Sequence, residues 1–199
     1  MIVMREQVSN HVQDYWERIS QAPDRAVKAS LARLRRGVGK APGAAPELWG
    51  EFLQAMPENF YNHSPDSPSY AQWAVYIALT LLALHQQGRE IQVEPAHQKG
   101  KSLGTAAAGL VKNEEDRKRI WRRFYKVAAA DDMVEVSYYL RGMVQLLRAD
   151  GITLDYARLA GDLFDFQFSE RADSIRLRWG EDFFRKAEGE TDDESESVS

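Results

Sequence analysis

Cysteine is absent from the 199-residue sequence, and its absence excludes several kinds of site. A chain without cysteine forms no disulfide, binds no zinc through thiolates and has no cysteine nucleophile. A protein without disulfides suits the reducing cytosol, and we therefore expect a cytoplasmic location.

Long apolar runs are missing as well. The longest, residues 73–84, covers twelve positions and is interrupted by Thr80, which is too short for a membrane span. Residues 1–4 are apolar but too few for a signal peptide, and three polar residues follow at once. We expect no contact with a membrane, and we predict that residues 70–86 form a buried helix.

Sustained alternation of apolar and polar residues, the pattern of a β-strand, occurs nowhere in the chain. Helical spacing of apolar residues recurs instead, and we predict an all-α fold of two packed helical bundles. The irregular stretch at residues 88–104 is the expected boundary between them. The predicted domains are an N-terminal bundle at 1–100, a C-terminal bundle at 101–187 and an acidic tail at 188–199.

The net charge of −4 hides an uneven distribution. Residues 188–199 contain six acids and no base, so residues 1–187 hold 26 bases against 24 acids, a net charge of +2. A polar, acidic segment almost free of apolar side chains is predicted to be disordered.

Catalytic and metal-binding patterns are not found in the sequence. The four histidines (His11, His63, His85 and His97) include no pair at the i, i+4 spacing of a helical zinc site. His85 ends an apolar helix and is interpreted as a core or capping residue. The G-x-S-x-G elbow and the glycine-rich dinucleotide fingerprint are absent too.

Two further patterns resemble sites without completing them. Gly100, Lys101 and Ser102 resemble the end of a phosphate-binding P-loop, but Pro95 stands where the motif needs its first glycine. The aspartate pairs 131/132 and 162/165 are interpreted as helix ends and exposed faces. We therefore expect no enzyme activity, no cofactor and no metal.

Two segments concentrate positive charge on helical faces. In residues 117–148, one helix is predicted to bury an apolar face and to present four cations on the other side, and residues 25–38 form a second basic helix. Such faces can dock on a phosphate backbone, although a solvated surface helix has the same pattern. The candidate nucleic-acid-binding residues are Arg33, Arg35, Arg36, Lys101, Arg119, Arg122, Arg123, Lys126, Arg141 and Arg148.

A set of short strings resembles the CasB family, the small helical subunit of the type I-E CRISPR complex called Cascade. The strings are ARLRRG at 32–37, SLG at 102–104, RRF at 122–124, LRGMVQLLR at 140–148, LDYARLA at 154–160 and RWGEDF at 178–183. Their order and spacing extend over about residues 30–184, and it is the combination that is specific.

The resemblance implies a non-catalytic protein of two helical bundles that sits as a pair in the complex. It implies contacts with other Cascade subunits, stabilisation of the guide RNA–target DNA hybrid, and binding of the displaced DNA strand. The family's nucleic-acid-facing arginines match Arg35, Arg36, Arg122, Arg123 and Arg141. Two positions depart from the family. Thr105 stands where many relatives have arginine, and Lys101, just upstream, is the candidate to replace that contact. Gly142 follows Arg141 in place of a second arginine.

The residues themselves lead to the same kind of ligand. The sequence indicates neither a platform of exposed aromatic side chains nor a recognition helix with base-reading residues, so we expect contact with the backbone and not with the bases. A protein of this kind leaves sequence choice to pairing between guide and target. A scaffold whose basic faces pair with acidic surfaces of neighbouring subunits is the alternative that the sequence leaves open.

Overall fold

The computed structural model describes residues 2–62 and 67–196, with the side chains of Ile2 and of residues 187–196 outside the description. His63 also lies outside the described residues. The α-helices are α1 (Ile2–Ser20), α2 (Asp24–Arg35), α3 (Trp49–Phe52), α4 (Tyr70–His85), α5 (Leu103–Ala108), α6 (Glu114–Ala128), α7 (Met133–Ala149), α8 (Tyr156–Phe166) and α9 (Ser169–Glu196). Two short 3₁₀ turns, Pro46–Leu48 and Glu58–Phe60, complete the helical elements. The described residues contain no strand, and the all-α prediction is confirmed for them.

Helix α4 is the centre of the fold. Its sequence is apolar almost all round, and twelve of its sixteen residues are buried. Ser69 caps its start, since the hydroxyl accepts the backbone N–H of Gln72 while the Gln72 side chain accepts the N–H of Ser69. The helix packs against α1, α2, α7 and α8, as a helix without a polar face must.

The two halves of the chain share one hydrophobic core. Helix α1 packs mainly against α8, and α4 packs against both α7 and α8. The division into bundles at 1–100 and 101–187 stays a prediction about folding units, and these helix pairs cross it.

The stretch between α4 and α5 is tied to the start of α8. The backbone N–H of Leu154 donates to Ala96, and that of Gln98 donates to Leu154. His97 Nδ1 accepts the backbone N–H of Tyr156 at 3.0 Å. Irregular backbone at 88–104 is therefore fixed by long-range hydrogen bonds, which satisfy groups that no helix pairs.

His85 is a core residue, as expected. It is fully buried, and its Nδ1 lies 3.0 Å from the hydroxyl of Tyr156. Burial, and then the field of Arg89, lowers the pKa of His85 to about 4, so the ring is neutral at pH 7.

Asp162 and Asp165 are buried, and the prediction that they lie on exposed faces is wrong. They are 1% and 8% exposed. Asp162 accepts from Arg5 at 2.9 Å, Arg178 at 2.8 Å and the indole of Trp179 at 2.9 Å. Asp165 pairs with Arg5 and Arg171. Carboxylates in the core need such partners, and sequence alone does not reveal donors that arrive from α1 and α9.

Helix α9 is continuous to Glu196. The predicted disorder of the tail concerns residues 188–199, of which 197–199 lie outside the described residues and 188–196 are described by their backbone alone. Within the described part of the chain, no helix combines the length and the apolar character that a membrane span requires.

Candidate nucleic-acid interface

Helix α6 has the basic face that its sequence predicts. Asn113 caps it by accepting the backbone N–H of Asp116 at 2.8 Å, and acids occupy the first turn, where the helix dipole favours them. Ile120, Phe124 and Val127 are buried on the inner side. The outer side presents exposed cations at positions 119, 122, 123 and 126, a spacing that forms one stripe along the helix.

Helix α7 lies beside α6 and completes a groove. Asp132 caps α7 by accepting the backbone N–H of Glu135 at 2.8 Å, and the four residues between the helices make them antiparallel neighbours. The space between them, which we call the α6–α7 groove, has a volume of about 630 Å³. It is lined by Arg119, Arg122, Arg123, Lys126, Tyr138, Tyr139, Arg141, Gly142, Met143 and Gln145, with no carboxylate among them.

The cations of this groove differ in how far they are already engaged. Arg119 pairs with Asp116 at 2.6 Å on its own helix. The Lys126 ammonium lies 5.8 Å from the ring centroid of Tyr139, a cation–π contact. Arg122 and Arg123 are exposed, and no ion pair holds them within the described residues. These two guanidinium groups are the most available to an anion.

Arg141 connects the groove with the end of α2. Its Nη1 lies 3.8 Å from the position that a Cβ on Gly39 would occupy, so the guanidinium sits against the turn that follows α2. Gly39 has φ of +79°, a left-handed conformation that favours glycine. Arg36 is exposed three residues before this turn, and no ion pair of it is found in the described residues.

Arg148 continues the positive surface along α7, two helical turns beyond Arg141. It donates to the side chain of Gln87 at 3.4 Å, and the Arg89 guanidinium donates to its backbone oxygen. Arg35 lines a cavity with Gly88, and Arg148 Nη2 lies 3.6 Å from the position that a Cβ on Gly88 would occupy, so the two arginines lie in the same region. Burial, and then the field of Arg148, lowers the pKa of Arg35. Residues 25–40 and 117–148 thus meet along α7.

We call the resulting surface the basic tract. It consists of Arg35, Arg36, Arg122, Arg123, Lys126, Arg141 and Arg148, with Arg119 at its edge.

Two predicted residues lie apart from this surface. Arg33 is bound to Glu51, with its Nε 2.5 Å from a carboxylate oxygen. Lys101 stands before α5, where its backbone oxygen accepts the N–H of Asp155, and it does not line the groove. Arg33 is neutralised by a local acid, and Lys101 belongs to the region where α5 and α8 begin.

Two tyrosines in the groove were missed by the sequence analysis. Tyr138 is 69% exposed and Tyr139 is partly buried, with ring centroids 5.4 Å apart. Tyr138 is thus an exposed aromatic side chain among the cations, and the sequence analysis did not single it out. Its spacing from Arg141 and Gln145, three and seven residues, places all three on one face of α7 and was the available signal.

No three potential metal ligands converge anywhere in the described residues. Asp131 and Asp132 lie at the start of α7, where Asp132 is the cap and the N–H of Asp131 donates to Glu135. Both aspartates therefore belong to the N-terminal cap of α7.

Comparison with solved structures supports the family resemblance. The chain is similar to CasB from Thermobifida fusca, with 34% identity, coverage of 90% of this chain and 97% of that one, and a TM-score of 0.70. CasB from M. ruber has 25% identity, coverage of 91% and 96%, and a TM-score of 0.64. A chain of a structure described as a CRISPR RNA-guided surveillance complex has 22% identity, coverage of 96% and 98%, and a TM-score of 0.70, a likeness of fold.

Among curated proteins no match was found. The family model of the CRISPR-associated protein Cse2 matches residues 30–184, most of the chain and the same span as the strings noted in the sequence. On this match and on the identity with the Thermobifida fusca protein, the chain belongs to the Cse2 family of CRISPR-associated proteins.

Proposed function

We propose that the protein is a non-catalytic subunit of a CRISPR RNA-guided surveillance complex that binds the nucleic-acid backbone without sequence specificity. The observation that carries this proposal is the basic tract, in which cations of α6 and α7 line a groove without carboxylates and Arg141 reaches the turn that follows α2. A surface of this kind attracts phosphates and releases their counterions.

Arginine is the main cation of the tract, which favours phosphate as the ligand. Its planar fork can donate two parallel hydrogen bonds to one phosphate, whereas lysine acts as a point charge. Contacts of this kind fix the position of a strand and carry no base information, so the choice of sequence falls to pairing between guide and target.

The proposed partners follow from the family. They are the guide RNA paired with target DNA, the displaced DNA strand, other Cascade subunits and a second copy of this chain. Family membership and the fold shared with a chain of an RNA-guided surveillance complex support this placement.

Replacement of both Arg122 and Arg123 by alanine tests the role of the groove. Each phosphate contact contributes about 0.9 to the slope of log affinity against log salt on duplex DNA, so the double variant should lower the slope by about 1.8. Sequence preference should not change, because backbone contacts carry none. Fluorescence anisotropy with labelled duplexes of two unrelated sequences, at several salt concentrations, measures both quantities.

Arg18 and Arg185 provide the matched control. Both are exposed arginines outside the groove, and their double alanine variant removes the same charge. The control should lower the slope far less than the groove variant. Equal slopes for the two variants would contradict the proposed site, and no binding by the wild type at low salt would favour the scaffold alternative.

A further inference from the structure

Tyr138 has an environment that distinguishes it from the other aromatic side chains of the fold. Its ring is 69% exposed although it lies on α7 in the α6–α7 groove, beside five cationic side chains. Its hydroxyl makes no hydrogen bond within the described residues. Nothing in the core requires a large apolar ring at this position.

The neighbouring Tyr139 already has contacts within the protein. Its ring packs against the core and carries the Lys126 ammonium at 5.8 Å. A hydrogen bond to Glu135 raises the pKa of Tyr139 and holds its hydroxyl. The two rings meet edge to face, with an interplanar angle of 70°, so they are in contact without stacking on one another, and most of the Tyr138 side chain stays exposed.

Resting on the proposed function, we propose that Tyr138 stacks on an unpaired base, so that the α6–α7 groove takes single-stranded nucleic acid. Every base has a π-face, so stacking on an aromatic ring needs no particular sequence, and it combines naturally with a cationic groove that follows the backbone. The bases of a duplex are stacked on one another and are not available to the ring.

The spacing of the side chains suits this arrangement. Arg141 is three residues from Tyr138 on the same face of α7, about 5 Å along the helix axis. Arg122 and Arg123 face them from α6 across the groove. A strand that rests its phosphates on these arginines brings a base within reach of the ring.

Three oligonucleotides of equal length separate stacking from charge: single-stranded DNA, single-stranded RNA of the same sequence, and DNA with abasic sites at its central positions. Replacing Tyr138 by alanine should weaken binding to the DNA with bases by about tenfold, a typical loss for one stacked base. The abasic strand should bind wild type and variant equally, and Tyr138→Phe should restore binding. The RNA arm identifies which sugar the groove accepts, since only RNA has the 2′-hydroxyl.

A 2-aminopurine base at each central position in turn gives a direct signal. Stacking on Tyr138 should quench its fluorescence in the wild type and in Tyr138→Phe, and not in Tyr138→Ala. Equal affinities of wild type and Tyr138→Ala for the strand with bases, or equal losses on the abasic strand, would overturn the inference. If the Arg122/Arg123 variant still weakens binding in that case, the groove remains a backbone site and only stacking is rejected. If that variant binds every strand like the wild type, the proposed function fails as well.

Discussion

The buried carboxylate of Asp162, on α8, accepts hydrogen bonds from side chains of α1 and α9 and so connects three helices. Arg5 of α1 and Arg178 of α9 both donate to one of its oxygens, and Trp179 donates to the other. An ion pair in the core does not guarantee stability, but removal of this carboxylate would leave Arg178 and the Trp179 indole without their acceptor, whereas Arg5 would keep Asp165. We therefore expect a substitution at Asp162 that keeps the size of the side chain and removes its charge to destabilise the fold.

Asp162→Asn should lower the free energy of unfolding by about 1–3 kcal/mol, because Arg178 loses its carboxylate partner and the hydrogen bonds to the buried oxygens lose their charge. Chemical denaturation followed by circular dichroism measures this difference. Asp173→Asn is the control, since that carboxylate pairs with Arg176 on the same helix and its side chain is 88% exposed. A surface pair should contribute less than about 1 kcal/mol, and similar losses in both variants would contradict the role of burial.

Short helix α5 and long helix α9 approach one another more closely than side chains ordinarily permit. A Cβ on Gly104 would lie 2.2 Å from the backbone oxygen of Trp179 and 2.9 Å from Cβ of Asp182. Glycine at this position is therefore a packing requirement between two elements, which gives a physical reason for its place in the SLG string at 102–104.

Gly104→Ala should reduce the free energy of unfolding by about 3 kcal/mol, because the extra methyl group must push backbone apart. Gly180→Ala makes the matched comparison, as it lies within α9 and a Cβ there meets nothing within 4 Å. That change should stabilise the protein by about 0.5–1 kcal/mol through helix propensity. Thermal denaturation of both variants should move the midpoint in opposite directions, and a shared direction would exclude this explanation.

Helices were predictable from local chemistry. A continuous apolar run identified α4, and apolar spacing identified α6. Asn113 and Asp132, which have short side chains that accept from backbone N–H groups, stand at the starts of α6 and α7. The exposed Tyr138 was not recognised, because its exposure depends on how α6 and α7 lie side by side. Asp162 and Asp165 were misplaced for a similar reason, since their partners are distant in the chain.

At the scale of the molecule, the basic tract depends on the tertiary packing of helices that are distant in the sequence. The basic segments 25–38 and 117–148 were visible in the sequence, but only the packing of α2 and α7 beside α4 brings their arginines together. Arg33 belongs to the same string as Arg35, yet Glu51 binds it, and no local pattern separates the two. Family resemblance selected Arg35 and Arg36, whereas helical periodicity placed Arg33 and Arg36 on the basic side and Arg35 beside the apolar stripe.

The continuous core predicts how the molecule unfolds. Because α1 and α4 pack against α7 and α8, residues 1–100 and 101–187 should lose structure in a single transition. Tryptophan fluorescence and far-ultraviolet circular dichroism, recorded over the same urea series, should give coincident curves. Two separated transitions would instead favour independent bundles divided near residue 100.

The ion pair between Arg5 and Asp162 can form only late in translation. These residues are 157 positions apart, so the first helix leaves the ribosome long before its carboxylate exists. At ordinary elongation rates the delay is roughly 8–30 s. During that interval α1 can pack against α4 but lacks α8, its main neighbour, so part of its apolar side stays uncovered until translation is nearly finished.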